Sequence, residues 1–209
     1  VSDPEEADEI VINTCCVTAK ASADSRKMLR HHRAHFPNAH VIGTGCWVSV
    51  SKDKPDEQQQ MLDLAYDNST KDQILVDLLA KANPQRFDFE DVRPDLGSRN
   101  RTRAFVKVQD GCDNRCAYCL TQVARGRSTS INSGNVIAYI QKLQNLGTKE
   151  VVLTGVQLGS WGKDLSPRLM LSDLVKMILD QTEIPRIRLS SIEPWDVTPG
   201  LIALFEDPR

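Results

Sequence analysis

The chain has 209 residues, 40% of them hydrophobic, 26% charged and 5% aromatic, with a formal net charge of −2 at pH 7. At roughly 100–200 residues per domain this is one or two domains, long enough to bury a core and too apolar for a chain that cannot offset its ordering entropy. No apolar run approaches the roughly 18 residues of a membrane-spanning helix, residues 1–9 carry five acids and no base where an export signal would be basic, and the balanced charge confines nucleic-acid contact to local patches.

The first strand signal is the β-branched run at residues 10–14, which ends at Cys15-Cys16. Thr18 is placed to cap a helix over residues 19–33, which must stop before Pro37. A second strand at 40–44 ends at Gly45-Cys46, and a third at 61–66 leads to a helix over 70–82 capped by Asn68-Ser69. Strand and helix in alternation predict a parallel sheet with helices on its faces. Residues 86–100, with Pro94, mixed charge and Gly97-Ser98, read as a linker.

Beyond it come a strand at 104–109, a long loop, a helix over 133–146 stopped by Gly147, and a strand at 151–153. A helix over 171–181, a strand at 187–191 and a helix start at 200–206 complete three βα units. The expected fold class is therefore α/β, with a βαβ domain at 1–85 and a second domain at 101–209. A closed β/α barrel needs more than three units, so the second domain is expected to be the first half of a partial barrel, in a fragment of a longer protein.

Six cysteines are too sparse for a disulfide scaffold, and with no export signal they read as reduced, cytoplasmic thiols available for metal. Cys112, Cys116 and Cys119 fall within eight residues just after a strand. Soft thiolates suit zinc, copper(I) or iron–sulfur clusters. Structural zinc takes four protein ligands, and His31, His32, His35 and His40 all lie far upstream. Zinc with a ligand from the other domain, or a reactive-thiol loop, remains the alternative reading of the spacing. Cys15 and Cys46 each follow a strand of one βαβ unit, so both are expected at the carboxyl edge of the sheet, where open α/β sheets bind ligands. Two ordinary buried cysteines would satisfy the same pattern.

The stretch RAFVKVQDGCDNRCAYCLTQVARGR, together with VVLTGVQLGSWGKDL, RIRLSSIEPWD, VINTCCVTAKASADSRK and VIGTGCW, resembles the radical S-adenosylmethionine methylthiotransferases over nearly the whole chain. The resemblance implies that Cys112, Cys116 and Cys119 hold a 4Fe-4S cluster together with S-adenosylmethionine, with the loop around Asp113 and Asn114 tuning it. It also implies a second, auxiliary 4Fe-4S cluster with Cys15 and Cys46 as ligands and a third ligand outside this chain. Cys16 is an extra cysteine there, and neighbours on a strand point to opposite faces, which argues against it as a ligand. Thr154, Gly155 and Val156 would approach the cofactor's methionine amino group, though Gly155 also suits a plain strand-to-loop turn. Ser190, Ser191 and Glu193 would line the cofactor pocket, or else cap the turn before Pro194.

Between Arg93 and Arg127 eight Lys/Arg stand against three Asp. Arg101, Arg103, Arg125 and Arg127, with Arg99, are the candidates for RNA phosphates, and the helix over 19–33 is also basic; a solvated charged face is the plain alternative. Trp47, Trp161 and Trp195 follow strand ends and are candidates to stack on a base, or to pack in a core. Within the family the motifs look most like the branch that methylthiolates threonylcarbamoyladenosine beside the tRNA anticodon, with tRNA and an electron donor as partners. The branches acting on isopentenyladenosine or on a ribosomal-protein aspartate share the same cysteines, and a non-catalytic, metal-stabilised RNA-binding module is the alternative of another class.

Overall fold

The structure is a computed structural model that describes residues 7–51, 59–81 and 103–209. The linker expected at 86–100, and Arg99 and Arg101, lie outside the described residues. The chain divides into two units, one of residues 1–88 with 114–126 and one of residues 89–113 with 127–209.

The first unit opens with β1 (Glu9–Thr14), α1 (Ala19–His35) and β2 (His40–Gly45), a parallel pair joined by a helix. The register pairs Glu9 with His40 and Thr14 with Gly45, so both strands end level. The Thr18 hydroxyl accepts the Ala21 N–H at 3.0 Å and starts α1 as expected. The helix runs two residues beyond the expected Arg33, to His35, before Pro37 ends it. Next come α2 (Cys46–Val50) and β3 (Leu64–Tyr66), which pairs parallel with β2 to give the order β1-β2-β3. The third strand is shorter than the expected 61–66 because Gln59–Met61 coils into a single 3-10 turn.

α3 (Gln73–Lys81) starts three residues late, and the Asp67 carboxylate explains it. That carboxylate accepts the Ser69 and Thr70 N–H groups at 2.8 and 3.1 Å, and the turn so formed uses up the residues expected to open the helix. The core of this unit is Ile12, Leu29, Val41, Trp47 and Val48. α4 (Thr121–Arg125) also belongs to this unit, its Ala124 carbonyl accepting from the Asn68 side-chain amide at 2.6 Å.

The second unit holds β4 (Arg103–Lys107), β5 (Gln109–Asp110), β6 (Thr129–Ser130), α5 (Ser133–Asn145), β7 (Glu150–Thr154), α6 (Leu171–Gln181), β8 (Ile187–Leu189) and α7 (Pro199–Ala203). β4, β7 and β8 form a parallel sheet in the order β4-β7-β8, so the alternation of strand and helix again gives parallel strands. The expected strand at 104–109 breaks at Val108, after which β5 turns away to pair antiparallel with β6. One face of the main sheet carries Ala104, Val106, Val151 and Leu153, which pack in one core with Val136, Ile140 and Leu143 of α5 and Leu174 and Ile178 of α6. The opposite face leaves Phe105 half exposed and Arg188 exposed. The two three-stranded sheets are thus parallel with helices between their strands, in line with the expected α/β fold class. Among the described residues no helix is long and apolar enough to cross a membrane.

Candidate functional site

Cys15 directly follows β1, and Cys46 directly follows β2 as the first residue of α2. Because Thr14 pairs with Gly45, the level strand ends deliver the two cysteines side by side at the carboxyl edge. Gly45 makes the step from strand to helix at φ +97°, and a Cβ there would fall 2.3 Å from the Thr14 carbonyl oxygen. Only glycine fits. Ser25, buried on α1, accepts the Cys15 N–H at 3.0 Å, and its hydroxyl lies 3.1 Å from the Cys15 carbonyl and 2.9 Å from that of Ala21. Cys46 is buried, with the Asn68 side-chain amide 3.7 Å from its sulfur. Ser25 did not stand out in the sequence, since a serine inside a helix has an ordinary explanation, and Asn68 was expected only as part of a helix cap.

Cys16 lies past the end of β1, so strand alternation does not govern where it points. It packs instead against the apolar cluster of the first unit. Burial first, and then the neighbouring thiols of Cys46 and Cys15, push its thiol up to about 11. A thiol so hard to ionise is a poor metal ligand by itself.

The other cysteines sit in two settings. Cys112, in the second unit, is half-buried, and its thiol donates to the Gln157 side-chain oxygen at 3.4 Å. Gln109 is buried to 1% exposure and holds the backbone on which Cys112 rides. Its Nε2 lies 2.9 Å from the Asp110 carbonyl, 2.8 Å from that of Gly111 and 2.9 Å from the Ser128 hydroxyl, while its Oε1 accepts the Gln157 N–H at 2.9 Å. Asp113 Oδ1 accepts the Ser128 N–H at 3.4 Å. Gln109 is the residue that sequence reasoning missed, because a buried glutamine reads like a surface one.

Cys116 and Cys119 are exposed, on a tight turn closed by the Cys119 N–H on the Cys116 carbonyl at 3.1 Å. The Thr121 hydroxyl and then the Thr121 backbone N–H, 3.1 and 3.4 Å from the Cys119 sulfur, favour its thiolate and hold that thiol below the ordinary range. That donor chemistry fits a thiolate-ligated soft metal. Among the described residues, no three Cys, His, Asp or Glu side chains are already gathered as a bound metal would require.

Thr154 ends β7 on the uncovered face of the sheet, across from Lys107. Gly155 follows it, with space for no side chain: a Cβ would meet Gln109 Oε1 at 2.7 Å. Val156 is half-buried. Ser190 and Ser191 line a cavity of about 350 Å³ on that open face with Arg103, Phe105, Val152 and Arg188. Glu193 is exposed and makes no side-chain cap to the turn over Pro194–Asp196, which removes the capping alternative for it.

The described arginine candidates are divided between the two units. Arg103 belongs to the open sheet face of the second unit, its guanidinium 5.9 Å from the Phe105 ring centre, and Arg127 is exposed in the same unit. Arg125 is exposed at the end of α4, in the first unit. On the basic first helix Arg33 is committed to the fold through a 2.7 Å ion pair with Asp63. The stacking role expected of three tryptophans fails for two of them. Trp47 and Trp161 are 4% and 0% exposed, and the Trp161 indole N–H bonds the Ile131 carbonyl at 2.9 Å, so both are core; Trp195 stands 68% exposed.

A family model described as Uncharacterized protein family UPF0004 matches residues 1–67. Over 95% of its length the chain is 32% identical to the threonylcarbamoyladenosine tRNA methylthiotransferase of Thermotoga maritima, covering 47% of that protein. It is 31% identical to the enzyme of the same name from Chlamydia pneumoniae, over 93% of the chain and 44% of that protein. It is 29% identical to the tRNA-2-methylthio-N(6)-dimethylallyladenosine synthase of Geobacter sulfurreducens, over 98% of the chain and 49% of that protein. The chain spans about half the length of the curated relatives it matches.

Proposed function

We propose that this chain, which its relatives group with the methylthiotransferases, is part of a cytoplasmic enzyme that adds a methylthio group to threonylcarbamoyladenosine in tRNA. The observation that carries the reading is similarity along nearly the whole chain to enzymes of that name, with the cysteine loop at residues 112–119 inside the matched region. Relatives named for threonylcarbamoyladenosine recur among the matches at 29–32% identity, and that recurrence, rather than any gap in identity, favours this branch over the dimethylallyladenosine one.

In this reading Cys112, Cys116 and Cys119 hold a 4Fe-4S cluster, and Cys15 and Cys46 contribute two ligands to an auxiliary one. The first cluster, when bound, supplies the electron that cleaves S-adenosylmethionine. The residues of this chain do the rest by position. Gln109 and Gln157 fix the backbone and sulfur of Cys112, and the Thr121 hydroxyl and N–H favour the thiolate of Cys119. Gly155, packed against Gln109 where a side chain would point, offers the cofactor only its backbone. Thr154, Val156, Ser191 and Glu193 supply contacts to the cofactor, Thr154 and Ser191 from the open sheet face. Arg103, Arg125 and Arg127, together with Arg101, offer cations to RNA phosphates, and an external electron donor completes the cycle.

The test is anaerobic reconstitution with iron and sulfide on the chain and on its Cys112→Ala/Cys116→Ala/Cys119→Ala variant, followed by iron counting and a spectrum. A brown product with a 4Fe-4S spectrum that disappears in the variant supports the assignment. A colourless zinc protein, or iron uptake unchanged in the variant, overturns it.

A further inference from the structure

The second unit contains a cavity that none of these roles uses. It measures about 440 Å³, lies between the loop after β7 and the loop after β8, and is lined by Gly159, Lys163, Arg168, Ser172, Trp195 and Asp196. Its volume is within the range of roughly 300–1,000 Å³ typical of small-molecule sites.

Asp196 is the telling residue. Its side chain is only 6% exposed and pairs through Oδ1 with the Lys163 ammonium at 3.1 Å. Its Oδ2 is buried and has no hydrogen-bond partner among the described residues. An acceptor buried without a donor costs free energy that an incoming N–H group recovers. Gly159 makes the space for this carboxylate, since a Cβ there would fall 2.4 Å from Oδ2.

The rest of the lining is built for the other parts of one kind of ligand. Trp195 presents its indole to solvent. Arg168 is exposed and makes no ion pair among the described residues. The head of α6 also reaches the cavity wall through Leu171 and Ser172, but there the Asp173 carboxylate already accepts the Met170 N–H at 2.8 Å, so Arg168 is the group left to meet an anion. An aromatic face, a buried acceptor and an anion site on one cavity match a planar base with N–H donors and an attached phosphate.

We propose that this cavity binds a nucleotide, with the base stacked on Trp195, a base N–H on Asp196, and the phosphate at Arg168. The idea that RNA supplies this nucleotide rests on the tRNA reading above; the pocket chemistry itself does not.

The test measures binding of adenosine 5′-monophosphate, adenosine and a six-nucleotide single-stranded adenylate RNA by calorimetry, using the chain and two variants. Trp195 and Arg168 are exposed, so Trp195→Ala and Arg168→Ala should keep the parent melting temperature. Trp195→Ala is expected to weaken the monophosphate by about tenfold, the order of a base–aromatic stack. Arg168→Ala is expected to leave adenosine unchanged and to abolish the advantage of the monophosphate over adenosine. Tighter binding of the RNA than of the monophosphate identifies RNA as the source, and equal binding identifies a free nucleotide. No binding of any probe at millimolar concentration, or binding that both variants leave unchanged, overturns the proposal. The Cys112→Ala/Cys116→Ala/Cys119→Ala variant separates the two readings, since failure of the cluster assignment leaves this binding in place.

Discussion

Gln109 and Gln157 act as one fixture: the buried side-chain oxygen of the first accepts the backbone N–H of the second at 2.9 Å, and the side chain of the second reaches the Cys112 thiol. The first cysteine of the loop is therefore held from both sides, by its backbone through Gln109 and by its sulfur through Gln157. Replacing Gln109 by Leu would strand the Gly111 carbonyl, the Ser128 hydroxyl and the Gln157 N–H in a buried setting. The expected cost is about 2–4 kcal/mol, read as a lower urea midpoint. Cys112 should then react faster with iodoacetamide, while Cys116 and Cys119, which Gln109 does not touch, keep their rates. Unchanged Cys112 reactivity in a folded variant would mean that the clamp does not position the thiol.

Gly45 sets the direction in which Cys46 leaves the sheet. Gly45→Ala puts a Cβ on the Thr14 carbonyl and forces a left-handed φ on an alanine. The expected loss is at least about 2 kcal/mol of stability. Gly147 also has a left-handed φ but nothing within 4 Å of its would-be Cβ. Gly147→Ala is thus the control, with a cost near 1 kcal/mol. Equal melting-temperature losses in the two variants would show that crowding against Thr14 plays no part.

The contrast between those two glycines also shows what a sequence can and cannot reveal. Strand, helix and glycine order were legible because β-branched runs, Thr18 and Pro37 act locally on the chain. The neighbourhood of Cys15 and Cys46 was legible too, because a parallel βαβ unit brings successive strand ends together whatever the side chains. The short α2 and α4 were not, since five residues carry no helical period. Gln109, Ser25 and the role of Asn68 beside Cys46, which the sequence suggested only as a helix cap, were hidden for another reason. Their partners are backbone groups and distant side chains, so nothing in the local pattern distinguishes them from solvent-facing residues. The tryptophans make the same point: Trp47, Trp161 and Trp195 all follow strand ends, yet tertiary packing alone decides that the first two are core.

In the metal-free chain the cysteines should separate by pH. The Thr121 hydroxyl and N–H hold the Cys119 thiol below the ordinary value, whereas burial and neighbouring thiols raise that of Cys16 to about 11. Alkylation rate follows the thiolate fraction. Cys119 should therefore reach half its maximal rate at lower pH than a free cysteine, and Cys16 should stay slow through pH 9. Thr121→Val removes the hydroxyl and should move the Cys119 midpoint upward, leaving Cys16 where it was. Mass spectrometry of partly alkylated protein reads each site separately.

Asp63 ties the third strand's approach to the first helix and the second strand, and it does so in a pH-dependent way. Burial alone would raise its carboxyl, but the Val41 N–H at 2.7 Å and the Arg33 guanidinium at 2.7 Å outweigh that and bring it below the usual carboxylate value. A folded-state value below the unfolded one means that the unfolded chain takes up the proton first as pH falls. The contribution is thus complete above the ordinary carboxylate range and disappears as pH drops through the depressed folded value. The side chains are 36% and 22% exposed, so solvent screening limits the pair to about 0.5–1 kcal/mol. Asp63→Asn should therefore be less stable than the parent at pH 7, and the two should converge as the medium becomes strongly acidic. Urea titrations at pH 7, 4.5 and 3 measure the gap, and a gap that stays constant across them would mean that the Asp63 charge contributes nothing to folding.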